Sequence, residues 1–278
     1  MTILDCGGRK LDLSRPAVMG ILNITPDSFA DGGVFFDRDK AVAHAVEMVE
    51  QGAAIIDVGG ESTRPGARPV TASEEIDRVA PVIEALARAV SVPISVDTSK
   101  PDVMRAAVQA GAGLINDVRA LREPGALDAA AALQRPVVLM HMQGEPQSMQ
   151  SDPRYADVVR EVREFLAERI ARATAAGIAR EQLLVDPGFG FGKTVEHNLE
   201  LLRRLKDFAS LGPVVAGLSR KSMIGKLLGL PVERRVHASV ALALLAVQNG
   251  ARILRVHDVG PTIEALRVAE AVYPATTL

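Results

Sequence analysis

The stretch PVVAGLSRKSMIG, Pro213 to Gly225, is where the fold can first be read. A short apolar run, Val214 to Ala216, gives way to Ser219, Arg220, Lys221 and Ser222, which open into a helical pattern. A buried strand therefore delivers two cations and two hydroxyls to its carboxyl end, at a helix N-terminus. Unpaired backbone N–H groups and the positive end of the helix dipole face outward there, so such a place collects anions. A solvated basic turn would use the same residue types, because charged turns are ordinary in loops. Repetition favours the first reading, since the same layout recurs along the chain.

The other apolar runs are Ala17 to Leu22, Ala54 to Val58, Ile94 to Val96, Gly113 to Ile115, Val137 to Met140, Leu183 to Val185 and Ile253 to Val256. Between them, Arg38 to Gln51, Ser73 to Ala89, Pro101 to Ala110, Pro153 to Ala176 and Val195 to Phe208 carry apolar residues at three-to-four spacing, the period of an amphipathic helix. About eight strand–helix units in one chain predict a TIM (β/α)8 barrel. A doubly wound open sheet is the alternative, but such sheets usually carry fewer strands. Thr2 to Cys6 and Arg9 to Leu13 predict a short β-hairpin ahead of the barrel. Glycines at Gly52, Gly111, Gly177 and Gly250 stand between a helix and the next strand, where glycine caps the helix. No linker or low-complexity segment interrupts the pattern, so a single domain over residues 1–278 is expected.

Composition narrows the function classes. The 278 residues are 48% hydrophobic, enough for a large core. With 32 basic and 34 acidic residues the net charge is -2, which leaves no footprint for nucleic acid or an anionic membrane. The lack of tryptophan and the two tyrosines also count against single-stranded nucleic acid. Cys6 is the lone cysteine, which fits a reducing compartment. The N-terminus has no apolar signal core, and Ala238 to Val247 is too short to span a bilayer. A cytoplasmic location is expected.

In a barrel, function belongs where the strands end. Those positions hold Asn23, Asp57, Asp97, Asn116 with Asp117, His141, Asp186, Ser219 to Ser222, and Arg255 with His257. Several carboxylates converging on one mouth repel one another unless a ligand, a cation or a basic side chain compensates them. The stretch Gly188 to Thr194 is similar to a phosphate-binding P-loop, but Pro187 stands where the first glycine is required. Its glycines at every second position also miss the dinucleotide spacing. The five histidines form no zinc pattern.

Taken together, NITPDSFADGG (Asn23 to Gly33), DVGGESTRPG (Asp57 to Gly66), SVDTSKP (Ser95 to Pro101), INDVRAL (Ile115 to Leu121), HMQG (His141 to Gly144), DPGFGFGK (Asp186 to Lys193), GLSRKSMIG (Gly217 to Gly225) and RVHD (Arg255 to Asp258) resemble the dihydropteroate synthase family over essentially the whole chain. The resemblance implies a TIM barrel, usually homodimeric. Such an enzyme condenses 6-hydroxymethyl-7,8-dihydropterin pyrophosphate with 4-aminobenzoate, uses Mg2+, releases pyrophosphate and is the target of sulfonamides. Ala30 and Val118 stand where relatives often have serine and isoleucine; neither changes charge.

Carried over residue by residue, the resemblance implies that Asp97, Asn116, Asp186 and Lys221 hydrogen-bond the pterin edge, with Met140, Phe191, Gly217 and Arg255 around its ring. A pterin offers N–H donors to carboxylates and a carbonyl to an ammonium. The resemblance gives pyrophosphate to Asn23, Thr63, Arg64, Arg255 and His257, with Asn23 also reaching the metal. It gives 4-aminobenzoate to Phe29, Pro65, Lys221 and Ser222. Catalysis is expected from Lys221, Arg255, His257 and Asp97 by dissociative loss of pyrophosphate, the cation delocalised into the ring before the amine attacks. Long Gly- and Pro-rich loops, Thr25 to Phe36 and Gly60 to Val70, are expected to be ordered by ligand. Two other functions share part of this pattern, a pterin-binding methyltransferase and a catalytically silent pterin-binding paralogue. The first has no use for Ser-Arg-Lys-Ser, and the second should have lost loop residues that are present here. The very apolar helix Ala238 to Val247 points to a dimer surface or to deep burial against the barrel.

Overall fold

The computed structural model describes residues 3–24, 34–62, 68–145 and 148–273, with 34–37 described by backbone alone. Two antiparallel strands open the chain, β1 (Ile3–Cys6) and β2 (Arg9–Asp12), paired from Ile3 opposite Asp12 to Cys6 opposite Arg9. Eight parallel strands follow: β3 (Ala17–Asn23), β4 (Ile55–Gly59), β5 (Ile94–Asp97), β6 (Leu114–Asp117), β7 (Val137–Met140), β8 (Leu183–Asp186), β9 (Val214–Ala216) and β10 (Ala251–Val256). They close in sequence order, β10 pairing with β3 on one side and β9 on the other. Around them run α1 (Val34–Glu50), α2 (Ala72–Ala89), α3 (Pro101–Ala110), α4 (Ala126–Leu133), α5 (Val158–Ala175), α6 (Val195–Arg203), α7 (Ser222–Leu228), α8 (Val236–Gln248) and α9 (Val259–Val272). The chain is a TIM barrel with an N-terminal hairpin.

The strands read as unbroken apolar runs because both of their faces are covered. Successive side chains point to opposite faces. Val18, Ile56, Val96, Ile115, Leu139, Val185 and Leu254 pack with the helices. Met19, Ile55, Leu114, Val138, Leu184, Val215 and Ile253 instead join Leu4, Cys6, Leu11 and Leu13 of the hairpin segment in a second cluster. The hairpin thus plugs the amino end of the barrel. The fit is tight: a Cβ added at Gly113 would lie 2.1 Å from the Cys6 carbonyl oxygen.

Four strands expected to stop at their last apolar residue, β3, β5, β6 and β8, run on into the polar residues that follow. Ladder pairing uses backbone groups and is indifferent to side-chain polarity. Asp97 therefore pairs with Asn116, and Met140 with Asp186, on the last rungs. Gly52, Gly111, Gly177 and Gly250 have φ of 109°, 120°, 98° and 99°, the left-handed region required after a helix.

Some boundaries differ from expectation. Helix α1 starts at Val34, inside the stretch read as loop. Helix α5 starts at Val158, not Pro153, because Asp157 Oδ1 accepts from the backbone N–H of Val159 at 3.1 Å and of Arg160 at 3.0 Å. After Arg203 the chain tightens into 3-10 turns over Leu205–Leu211.

Candidate active site

At the carboxyl end of the barrel a cavity is lined by Asp97, Asn116, Val118, Met140, Asp186, Gly188, Phe189, Phe191, Gly217, Lys221 and Arg255. Asp97 and Asp186 end β5 and β8, Met140 ends β7, and Asn116 and Arg255 each stand one residue short of the ends of β6 and β10. The eight residues proposed for a pterin thus line one cavity.

Arg255 resolves the carboxylate repulsion. Its Nε donates to Asp57 Oδ2 at 2.6 Å and its Nη2 to Asp97 Oδ2 at 2.6 Å. Burial opposes the guanidinium charge, but the two carboxylates outweigh it and raise the Arg255 pKa. Asp57 Oδ2 also accepts from Asn116 Nδ2 at 3.1 Å. Asp57, fully buried, therefore aims two cavity residues without lining the cavity itself. The sequence reading put it at a strand end; the structure places it in the middle of β4.

Burial lifts the Asp97 carboxyl to about 7; Asp57, Glu75 and Asp117 reinforce the shift and Arg255 opposes it. Burial also raises Asp186, against the Gly188 N–H that donates to Asp186 Oδ1 at 2.7 Å and against Lys221 and Arg255. Lys221 is pushed down to about 8, by burial first and by Arg255 second. Its Nζ stands 4.2 Å from the centroid of the Phe191 ring, a cation–π distance.

The backbone presents Lys221 through strain. Arg220 has φ 56°, rare for a side chain with a Cβ. Three contacts hold it there: Arg220 N–H donates to Ser239 Oγ at 2.9 Å, Arg220 Nε to Asp258 Oδ2 at 3.0 Å, and Arg235 Nη1 to the Arg220 carbonyl at 3.1 Å. Ser222 begins α7 and is exposed. His257 follows β10, with its Nδ1 3.0 Å from Ser219 Oγ. Burial, then Arg255 and Arg220, depress it to about 4. Ser219 Oγ accepts from the His257 backbone N–H at 3.2 Å, and donation of its own proton to Nδ1 would leave the neutral ring's proton on Nε2.

Asn23 ends β3, half-buried. A Cβ added at Gly59 would lie 3.6 Å from Asn23 Oδ1 and 3.8 Å from Asp97 Oδ2, so two oxygens gather over that glycine. Among the described residues no group of three or more His, Cys, Asp or Glu could hold a metal unaided. This donor set fits magnesium arriving with phosphate oxygens, since that ion takes few protein ligands and keeps several waters. Phe29, Thr63, Arg64 and Pro65 lie outside the described residues, as do 25–33 and 63–67 of the two loops. At the root of the second loop Glu61 accepts from Val70 N–H at 3.0 Å and from Lys100 Nζ at 2.6 Å.

The pterin-binding enzyme family matches residues 19–257. Dihydropteroate synthase of Escherichia coli K12 is 56% identical over 269 residues, covering 96% of this chain and 95% of the relative. The chain belongs to the dihydropteroate synthase family. Members are transferases of folate biosynthesis, and that is the activity of this chain. The solved Xanthomonas albilineans dihydropteroate synthase with 4-aminobenzoic acid superposes with a TM-score of 0.93 at 57% identity, covering 98% of each chain. The same organism's enzyme in complex with 7,8-dihydropteroate has a TM-score of 0.90 at 55% identity, covering 98% of this chain and 99% of that one.

Proposed function

We propose that this cavity is where the chain joins 6-hydroxymethyl-7,8-dihydropterin pyrophosphate to 4-aminobenzoate, giving 7,8-dihydropteroate and pyrophosphate. The observation that carries the reading is the bridging of Asp57 and Asp97 by Arg255, with Asn116, Asp186 and Lys221 around the same cavity. A row of acceptors beside one ammonium matches a ring with several N–H donors and one carbonyl. A ligand lacking that pattern would leave buried polar groups unpaired, at a cost of about 1–3 kcal/mol each.

Pyrophosphate leaves a methylene attached to an electron-rich ring. Asp97, as carboxylate, faces the positive charge that spreads into the pterin, while Arg255 and the Nε2–H of His257 face the leaving oxygens. Thr63 and Arg64 complete the anion site in this reading. The Asn23 amide oxygen would hold magnesium, which when bound supplies positive charge to the leaving group. Phe29, Pro65, Lys221 and Ser222 receive 4-aminobenzoate, and sulfonamides compete for the same place. No strong base is needed, because an aniline nitrogen is already a free amine at neutral pH.

A homodimer is part of the same reading. Of the large hydrophobics exposed among the described residues, all but Ile3 fall between Leu227 and Tyr273, on α7 to α9 and their flanks. Leu245, on the apolar helix α8, is 45% exposed. Sedimentation of a monomer at micromolar protein would refute the pairing. No helix among the described residues is long and apolar enough to cross a membrane. Together with the single buried Cys6, this is in keeping with a cytoplasmic place.

The test is pyrophosphate release by purified protein, with and without magnesium, from the pterin pyrophosphate and 4-aminobenzoate. Magnesium-dependent release matched by dihydropteroate is expected. Binding of the pterin with no release would point to the silent paralogue.

A further inference from the structure

Lys193 is a buried amine for which the reaction has no use; burial pushes its pKa down to about 7, with Asp186 opposing the shift. It is 2% exposed, and its ammonium donates to the carbonyls of Gly188 and Phe191 at 2.9 Å each and meets His141 Nδ1 at 2.9 Å. In the protonated form its three N–H groups find three acceptors, His141 Nδ1 being the unprotonated ring nitrogen. They converge because the chain turns left-handed at Gly188, Gly190 and Gly192, with φ of 71°, 80° and 61°. Side chains could not be accommodated at two of these places. A Cβ at Gly188 would lie 1.9 Å from the His141 carbonyl oxygen, and one at Gly192 2.3 Å from that of Gln143. The alternating glycines, wrongly spaced for a phosphate loop, instead wrap carbonyls around a cation from their own chain.

Neutral groups tie the loop elsewhere. Gly190 N–H donates to Asn198 Oδ1 at 2.7 Å, and Tyr155 Oη donates to the Gly192 carbonyl at 2.8 Å. The loop's other side is the cavity wall, to which it gives Gly188, Phe189 and Phe191. A Cβ at Gly190 would come within 3.3 Å of Lys221 Cδ, so the loop also bears on the stem of that lysine.

We propose that Lys193 is a positioning residue whose ammonium, held inside the Gly188–Gly192 loop, fixes the Phe191 ring and so the wall against which the pterin and Lys221 rest. The proposal rests on reading the cavity as the pterin site. A buried ammonium is costly to desolvate, so removing it need not wreck the fold, whereas the geometry it imposes is lost with it.

The experiment is calorimetric titration of 6-hydroxymethylpterin into wild type, Lys193→Met, Lys193→Gln and Val162→Ala. Methionine keeps the chain length and loses every donor; glutamine keeps two N–H groups. Val162 is fully buried in α5, does not line the cavity, and serves as a destabilised control. Affinity should fall about tenfold or more in Lys193→Met and by an intermediate amount in Lys193→Gln, as expected for lost charged hydrogen bonds. Val162→Ala should lower the melting temperature and leave affinity unchanged. Lys193→Met binding like wild type, or the control losing as much affinity, would overturn the proposal. If Lys193→Met fails to fold, unchanged affinity in Lys193→Gln overturns it equally. Wild type that bound no pterin would overturn the reading of the cavity itself, a separate outcome.

Discussion

The Lys221 ammonium lies 4.2 Å from the centre of the Phe191 ring. Among the described residues its Nζ has no hydrogen-bond acceptor, and the ring face is what steadies it. A charge in that position is available to a carbonyl or carboxylate brought by a ligand. Lys221→Ala should therefore abolish turnover, losing about 2–5 kcal/mol, or tens- to thousands-fold in kcat/KM. Near-normal kcat/KM in the variant would remove Lys221 from the site.

Asp57 predicts an effect without touching ligand. Its Oδ2 alone receives both Arg255 Nε and Asn116 Nδ2. In Asp57→Ala, Arg255 keeps only Asp97, and Asn116 loses its anchor. Breaking a buried ion pair from one side typically costs about 3–5 kcal/mol. Denaturant melts should show a drop of that order, and pterin affinity should fall with it. A variant of native stability that still bound pterin normally would show that Arg255 and Asn116 are aimed by something else.

How much of this could be read in the sequence depends on which force places each residue. Burial of both strand faces writes itself as apolar runs, so the barrel and the ends carrying Asp97, Asn116 and Asp186 were legible. The strand's continuation through those polar ends was not, because ladder hydrogen bonds carry no composition signal. Asp57 looked like every other strand-end aspartate until the structure brought Arg255 to it from β10, 198 residues away in sequence. Lys193 was misleading for the opposite reason. A local pattern similar to a phosphate loop hid partners that come from its own loop and from His141, 52 residues away. Helix α4, ALDAAAAL, shows no clear polar–apolar period from which a helix could be read.

Gly113 offers a test of the fold apart from the site. Its Cβ position collides with the Cys6 carbonyl oxygen at 2.1 Å and the carbonyl carbon at 2.6 Å, both backbone atoms that cannot rotate away. Gly113→Ala should lift the hairpin off the barrel's amino end, costing about 1–3 kcal/mol as for other overpacked cores. A lowered denaturation midpoint with pterin affinity intact is expected. No change in midpoint would mean that the plug contributes nothing to stability.

Asp97 carries the last prediction, in protons. Burial, with Asp57, Glu75 and Asp117 adding to it and Arg255 opposing, holds its carboxyl at about 7. The folded pKa is raised above the unfolded one, so between about pH 4 and pH 7 the native state binds more protons. On this account Asp97 lowers stability as pH rises through that window. At pH 6 most free protein carries the proton. A pterin edge offering N–H donors selects the carboxylate, because the protonated acid presents a donor where an acceptor is required. Binding at pH 6 should therefore release up to about one proton, read calorimetrically as an apparent enthalpy that changes with the ionisation enthalpy of the buffer. Lys221 makes the opposite contribution: depressed to about 8, it is partly neutral above that pH, and a pterin carbonyl that needs the ammonium draws a proton in. The sign of the buffer dependence should reverse across that interval. In Asp97→Asn the release at pH 6 should vanish while the uptake at high pH persists. Release that survives the substitution would place the proton on Asp186, the other cavity carboxyl raised by burial, and take it from Asp97.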